Sequence, residues 1–563
     1  MSLTFFGRRK NKIGREIFPD EILIDSQNLP SFDKYRMQGR LETPISRVSL
    51  IIMGLIFGVV FLLFGVKAYS LQINNYEMYL ARSEKNRLRH APVFPQRGVI
   101  SDRNGQSLVS NEENEEDMFF KRKYPDESGF GHLLGFVSYP GRDSSGFLYS
   151  TAIEGKDGAE AGLNDMLQGE LGQRLIEVDA LGKISSESVL VPPRNGISVK
   201  LSIDKRLQTD LYEAIKDVAV SSSFQGGAGV VLDAENGEIL SMVSYPDYDS
   251  NILSSGEDSA AISSLVSDIR KPFLNRPVAG LYTPGSIVKL FVSIAALQEN
   301  IISPTKQILS TGSISIPNPN DETKSTIFKD WKAHGYVDMR RAIAVSSNVY
   351  FYSVGGGYEN QKGLGISKIS EWMKKFGFGS EVSGFGAATG VVPDPDWKKE
   401  VFDGESWYLG DTYNTSIGQY GFQVTPLQEA LAVGVIANGG RLFTPTLIAG
   451  EKTAYKNIPL DPKNVEVVRE GMRMSVEDGT AAALNFDWLR VAGKTGTAQV
   501  GAKNEYMNSW VVGFFPFDKP KYVFVVLMEK APAGTLYGAP AAARTFFESI
   551  YYSAPEYVLK IQN

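Results

Sequence analysis

Val48–Val66 reads VSLIIMGLIFGVVFLLFGV, nineteen residues without a charged side chain. As a helix it is roughly 28 Å long, about the thickness of a bilayer's hydrocarbon core. Such a run must be hidden in a protein core or in lipid. It begins too late and runs too long for the apolar part of a cleaved signal peptide. Arg47 and Lys67 bound it, and the 47 residues ahead of it hold nine Lys/Arg against six Asp/Glu. The positive-inside rule then makes residues 1–47 a cytoplasmic tail and residues 48–66 a transmembrane signal-anchor. The expected location is the inner (cytoplasmic) membrane, single-pass, with everything after the span outside. No second run of this kind follows, which argues against a channel or transporter.

The whole chain of 563 residues has room for three or four domains at about 150 residues each. It contains no cysteine and only three histidines, His90, His132 and His334, far apart in sequence. That removes disulfides, thiolate metal sites and a Cys nucleophile, and it disfavours a Ser-His-Asp triad. No ligand cluster stands out, so no metal and no cofactor are expected. A net charge of −6 speaks against nucleic acid as a partner.

After the span, Ala68–His90 has roughly helical apolar spacing and reads as a stalk. Asp102-Arg-Asn-Gly105 is a turn between short strand-like runs, and the charge runs Asn111–Asp117 and Lys121–Lys123 read as solvated loop. Residues 67–202 are expected to form the stalk and a small mixed domain. From 225 the pattern changes. Val230–Met242 is a hairpin pattern turning at Asn236-Gly237. Helical stretches follow at 286–298, 339–354, 367–376 and 426–437, and strands return at 491–500, 509–515 and 522–528. Strands at both ends of a helical middle predict an α+β domain over 225–553.

Tyr282-Thr-Pro-Gly-Ser286 leads into an apolar run with helical character. The Pro-Gly break puts Ser286 at a helix N-terminus, with Lys289 one turn on along the same face. A serine hydroxyl needs a base to become nucleophilic, and a lysine whose pKa is lowered by burial can serve. The spacing S-x-x-K occurs four times, at Ser31, Ser202, Ser286 and Ser303, and only Ser286 has both the elbow and an apolar helix. Ser346-Ser-Asn348 lies between apolar flanks, where buried polar groups need partners. Lys494-Thr-Gly-Thr497 opens a strand-like run and is the only K-T-G. Gly496 allows close backbone approach, and Lys494, Thr495 and Thr497 offer charge and donors for a carboxylate or oxyanion. Gly493-Lys-Thr495 also resembles the end of a P-loop, but Trp488 stands where that motif needs glycine.

The order S-x-x-K, S-x-N, K-T-G, spaced 60 and 148 residues apart at their first residues, is the signature of penicillin-binding proteins and serine β-lactamases. From residue 48 onward the chain resembles a class B penicillin-binding protein. Arg97–Gly105, Asn275-Arg276 and Asn236–Leu240 add to the likeness. The resemblance implies a membrane helix, a pedestal (dimer-type) domain and a transpeptidase domain with an antiparallel sheet packed between helices. It implies a peptidoglycan D,D-transpeptidase, acylated by β-lactams, that releases D-alanine from stem peptides and cross-links them in the cell wall. It assigns Ser286 as nucleophile, Lys289 as base, Ser346 and Asn348 as relay and orienting groups, and Lys494–Thr497 as carboxylate-binding, with Ser286 and Thr497 N–H groups as oxyanion hole.

Asp411–Gln419, Val424–Gln428, Asn348–Tyr352 and Pro393–Trp397 look more like the elongation type, penicillin-binding protein 2, than the division type. That type pairs with a polytopic glycosyltransferase of the shape, elongation, division and sporulation group. Two departures stand out: Asn348 where the elongation type often has Asp, and a short Gly105–His132 stretch in the pedestal. The alternatives are a D,D-carboxypeptidase and a non-catalytic scaffold that activates its glycosyltransferase.

Overall fold

The computed structural model describes residues 46–114, 118–141, 151–178, 184–318 and 321–559. Ser31 and all of the expected cytoplasmic tail except Ser46 and Arg47 lie outside them. Among the described residues, 46–89 and those within Ile176–Glu187 form one unit. In it, helix α1 (Arg47–Tyr69) covers the apolar run and overshoots both ends. The Ser46 hydroxyl caps it by accepting from the Ser49 N–H. None of its residues is buried, so the apolar surface is left for another medium. A π turn, Ser70–Asn74, extends it, and Arg47–Asn74 is the one helix among the described residues long and apolar enough to cross a membrane. The helix Tyr76–Arg87 follows, as the spacing after the span predicts.

His90–Leu175 and Ser188–Asn563 form the second unit. The Asp102 turn is as expected: its carboxylate accepts from the N–H groups of Asn104 and Gln106, both at 2.8 Å, between strands Ile100–Ser101 and Ser107–Glu112. Lys121–Lys123 is not a solvated loop. It is a strand paired with Ser107–Glu112, and Arg122 points inward. Glu160, fully buried, accepts from Arg97 Nε at 2.6 Å and from Arg122 Nε at 2.8 Å. One carboxylate between two guanidinium groups is what lets three charges leave water together.

The K-T-G motif lies on a five-stranded sheet: β1 (Gly226–Asp233), β2 (Ile239–Tyr245), β3 (Ala492–Val500), β4 (Tyr506–Phe515) and β5 (Tyr522–Pro532), in the order β2-β1-β5-β4-β3. Every neighbouring pair is antiparallel. Period-two alternation sends neighbouring side chains to opposite faces. Val230 and Leu232 join one core and Val231 the other. The Val231 face packs on α2 (Lys205–Ser221), through Leu207, Leu211 and Ile215, and on the C-terminal helix Ala539–Ser553, through Phe546 and Phe547. Helix α2 lies between the two segments assigned to domains from the sequence, and it is part of this layer. The other face meets α3 (Lys289–Gln298), in which every residue but Gln298 is buried, and the helix Pro426–Asn438. A helix apolar all round belongs in a core.

Candidate active site

Ser286 sits in a tight elbow. Gly285 has φ +60°, and a Cβ there would stand 2.6 Å from the Thr497 carbonyl oxygen. Only glycine takes both the left-handed backbone and that contact. The Gly285 N–H donates to Gly418 O at 3.0 Å, and Trp510 Nε1 donates to Thr283 O at 3.0 Å. The elbow is thereby tied to β4 and to the Ile417–Gly418 loop. Ser286 does not open an α-helix as expected: Gly285–Val288 is a 3₁₀ turn and α3 begins at Lys289. In a 3₁₀ turn residues three apart eclipse, so the tighter winding still stacks Lys289 behind Ser286.

The Ser-Ser-Asn segment breaks a helical stretch in two, α4 (Met339–Val345) and α5 (Asn348–Gly356). Ser346 adopts φ +57° at the end of α4, and the Ser347 hydroxyl caps α5 by accepting from the Tyr350 N–H. Capping and site-building are both true of this motif. Behind it lie two lysines with no exposed surface. Lys289 Nζ donates to Ser346 O at 2.9 Å and to Asn348 Oδ1 at 2.7 Å, and lies 3.3 Å from Ser346 Oγ. Lys494 Nζ donates to Ser346 Oγ at 2.9 Å and to Thr495 O at 2.7 Å. Burial pulls Lys289 down to about 7, with the Asp330 charge opposing the fall. Burial, then the neighbouring Lys289, holds Lys494 well below the ordinary lysine range.

A cavity of about 830 Å³ opens in front, lined by Ser286, Ser346, Asn348, Thr495 and Thr497 among others. Lys289 and Lys494 stand behind its wall. Strand alternation explains this for K-T-G: Lys494 and Gly496 face inward, Thr495 is half-buried and Thr497 exposed. A Cβ on Gly496 would meet the Pro284 carbonyl at 2.9 Å and Ile287 at 3.0 Å, so the glycine lets the strand lie against the elbow. The resemblance gives Lys494 a carboxylate to bind; here it donates to Ser346 and Thr495 from behind the wall, and the threonines face the opening. β3 is an edge strand, with β4 on one side only. Its free edge can take an extended peptide by main-chain hydrogen bonds.

All eight predicted site residues therefore converge here. The two competing S-x-x-K matches among the described residues do not: Ser202 Oγ is buried and donates to Ile239 O at 2.7 Å, and Ser303 pairs with Thr305. Sequence reasoning missed Asp330, Thr480 and Trp510. The Thr480 hydroxyl accepts from Thr495 Oγ1 at 2.7 Å. None of the three carries a local motif, and each is recruited from a distant segment.

A family model described as the penicillin-binding protein transpeptidase domain matches residues 227–551, and one described as the penicillin-binding protein dimerisation domain matches 116–201. The peptidoglycan D,D-transpeptidase MrdA of Haemophilus influenzae is 29% identical, with 92% of this chain and 93% of that protein covered. The crystal structure of Pseudomonas aeruginosa PBP2 in complex with WCK 5153 matches with a TM-score of 0.69 and 30% identity, covering 84% of this chain and 99% of that one. A structure concerning coordination of polymerization and crosslinking by a peptidoglycan synthase complex matches with a TM-score of 0.70 and 25% identity, over 90% of this chain and 98% of that one.

Proposed function

The chain belongs to the penicillin-binding protein transpeptidase family, and we propose that it is a peptidoglycan D,D-transpeptidase of the elongation type, working through a serine acyl-enzyme. The observation that carries this reading is a single cavity lined by Ser286, Ser346, Asn348, Thr495 and Thr497, with the fully buried Lys289 behind it donating to Ser346 and Asn348. Ser286 Oγ attacks the carbonyl between two terminal D-alanines of a stem peptide while neutral Lys289 takes its proton. The tetrahedral oxyanion is held by the N–H groups of Ser286 and Thr497, whose backbones the elbow brings together. Collapse breaks the C–N bond, and the leaving D-alanine amine takes a proton passed through Ser346 from the lysine pair. An amine of a second stem peptide then attacks the ester, Lys289 takes its proton and passes it to the departing Ser286 oxygen as the acyl C–O bond breaks, and the cross-link forms with Ser286 and neutral Lys289 restored. Thr495 and Thr497 face the cavity and bind the substrate carboxylate, with the proton carried by the lysine pair behind them supplying positive charge. Penicillin presents a strained amide to the same serine, so it acylates Ser286.

We further propose a pedestal over 67–202 and a transpeptidase module over 225–553, against whose sheet α2, from the segment between them, packs. Arg47–Asn74 anchors the chain once in the inner membrane with the catalytic module outside. The peptidoglycan synthase similarity supports pairing with a membrane glycosyltransferase.

The test is covalent labelling of the purified protein with a fluorescent penicillin, wild type beside Ser286→Ala. An adduct that maps to Ser286 and is absent from the folded variant is the expected result. A folded wild type that takes no label would overturn the catalytic reading and favour a scaffold.

A further inference from the structure

We propose that Asp330 is the positioning residue of this site: its carboxylate pins the Ser346–Asn348 turn and supplies the counter-charge against which the two buried lysines share one proton. The proposal rests on the reading of Lys289 as the base.

The pinning is geometric. Asp330 Oδ2 accepts from Ser347 Oγ at 2.8 Å, from the Val349 N–H at 3.0 Å and from Ser310 Oγ at 3.2 Å. Its Oδ1 accepts from the Trp331 N–H at 2.9 Å, and the Trp331 indole donates to Val345 O at 3.2 Å. One buried carboxylate thus ties the strand Ile308–Ser310 to both sides of the turn. Ser346 is held in the left-handed region, a conformation that persists in a serine only where the surroundings over-determine it. That bend aims Ser346 Oγ at the Nζ atoms of both lysines and Ser346 O at that of Lys289.

The proton count follows from charge. Lys289 and Lys494 both reach Ser346 Oγ, and neither has exposed surface. Two ammonium groups that close and that dry repel strongly. Asp330 is the carboxylate whose charge acts on Lys289, and no Asp or Glu lines the cavity among the described residues. One anion matches one ammonium. The second lysine is then neutral at neutral pH, and the Ser346 hydroxyl between the two is the conduit. Asn348 and the Phe351 ring, 5.6 Å from Lys289, carry no charge, and Lys329, the one charged side chain lining the cavity among the described residues, is exposed. Asp330 also faces His334, whose Nε2 lies 3.6 Å from Oδ1, with Lys332 beyond it. Burial holds His334 below its ordinary pKa, so it adds no charge at pH 7. On Asp330 burial pushes upward, but the N–H groups of Asn348 and Val349, the Ser347 hydroxyl and the Lys289 charge outweigh it, so the carboxylate stays ionised.

The experiment follows the rate of acylation by fluorescent penicillin from pH 5 to 9 on the full-length chain in detergent, with thermal unfolding alongside. In Asp330→Asn the acidic limb should move about one pH unit toward acid, because the ammonium loses its counter-charge. Ser347→Ala should lower the rate at every pH and leave the limb in place. His334→Asn should leave the limb in place. A uniformly lower rate in Asp330→Asn with no limb shift, or a limb that follows His334 instead, overturns the proposal. Should Asp330→Asn not fold, ¹⁵N-lysine NMR of the wild type at pH 7.5 decides: one buried ammonium and one buried amine support it, and two ammonium signals overturn it. If Lys289→Ala acylates normally, the base assignment fails by itself, and the NMR proton count still stands or falls separately.

Discussion

Lys289 and Lys494 converge on a single hydroxyl, Ser346 Oγ, at 3.3 and 2.9 Å, one from the helix behind the elbow and the other from the edge strand. The arrangement makes Ser346 the junction between the base and the rest of the proton path. Ser346→Ala should slow acylation by Ser286 on the order of 10²–10⁴-fold, the usual contribution of a proton-transfer group. The two lysine Nζ donors also lose an acceptor, which should cost about 1–3 kcal/mol. Stopped-flow acylation and thermal unfolding of the same preparation check both; a rate within a few-fold of wild type would remove Ser346 from the path.

Lys289 titrates near 7 in the folded chain against an ordinary value of 10.5. It is protonated and inert as a base below that point. Acylation should therefore rise with pH and level off once pH exceeds about 7. Stability should move the same way: between the two values the unfolded chain binds the proton and the folded chain does not, so unfolding becomes harder as pH climbs. This contribution is fully lost below the folded value. Acylation rates and Tm measured from pH 6 to 10 test the sign, and a flat acylation profile contradicts the assignment.

Gly496→Ala places a methyl 2.9 Å from the Pro284 carbonyl. The strand must back away from the elbow, which shifts Thr497 relative to Ser286. A displacement near 1 Å costs about 10²-fold in a well-oriented reaction. The expected variant is folded, with circular dichroism like wild type, and acylates about 10²-fold more slowly. An unimpaired rate would mean that the strand and the elbow need no close contact.

Glu160→Gln leaves Arg97 and Arg122 buried against each other without their shared carboxylate. Breaking a buried pair in this way costs about 3–5 kcal/mol. The damage should be confined to the pedestal: limited proteolysis should cut near Lys121–Lys123 sooner, while the penicillin adduct on Ser286 persists. Loss of labelling together with early cleavage would show that the pedestal supports the catalytic site.

Much of this was legible from residue order. The apolar run, the Asn236-Gly237 hairpin, the Pro-Gly elbow and the three ordered motifs each have a local physical signature, and the structure departs from the pattern only in the 3₁₀ turn at Ser286 and the helix break at Ser346–Asn348. Lys121–Lys123 was misread because three consecutive cations look solvated; Glu160, a distant residue, makes the burial of Arg122 possible.

Residue order alone determined the membrane-type helix, the α+β class and the residue types able to run serine acyl transfer, because periodicity, turn chemistry and motif spacing are local properties of the chain. Tertiary packing decided the rest. Only the fold removes Lys289 and Lys494 from water, turns Lys494 inward and brings Asp330 to the Ser346 turn. Burial and charge proximity depend on what surrounds a side chain, and those surroundings come from segments far away in the sequence.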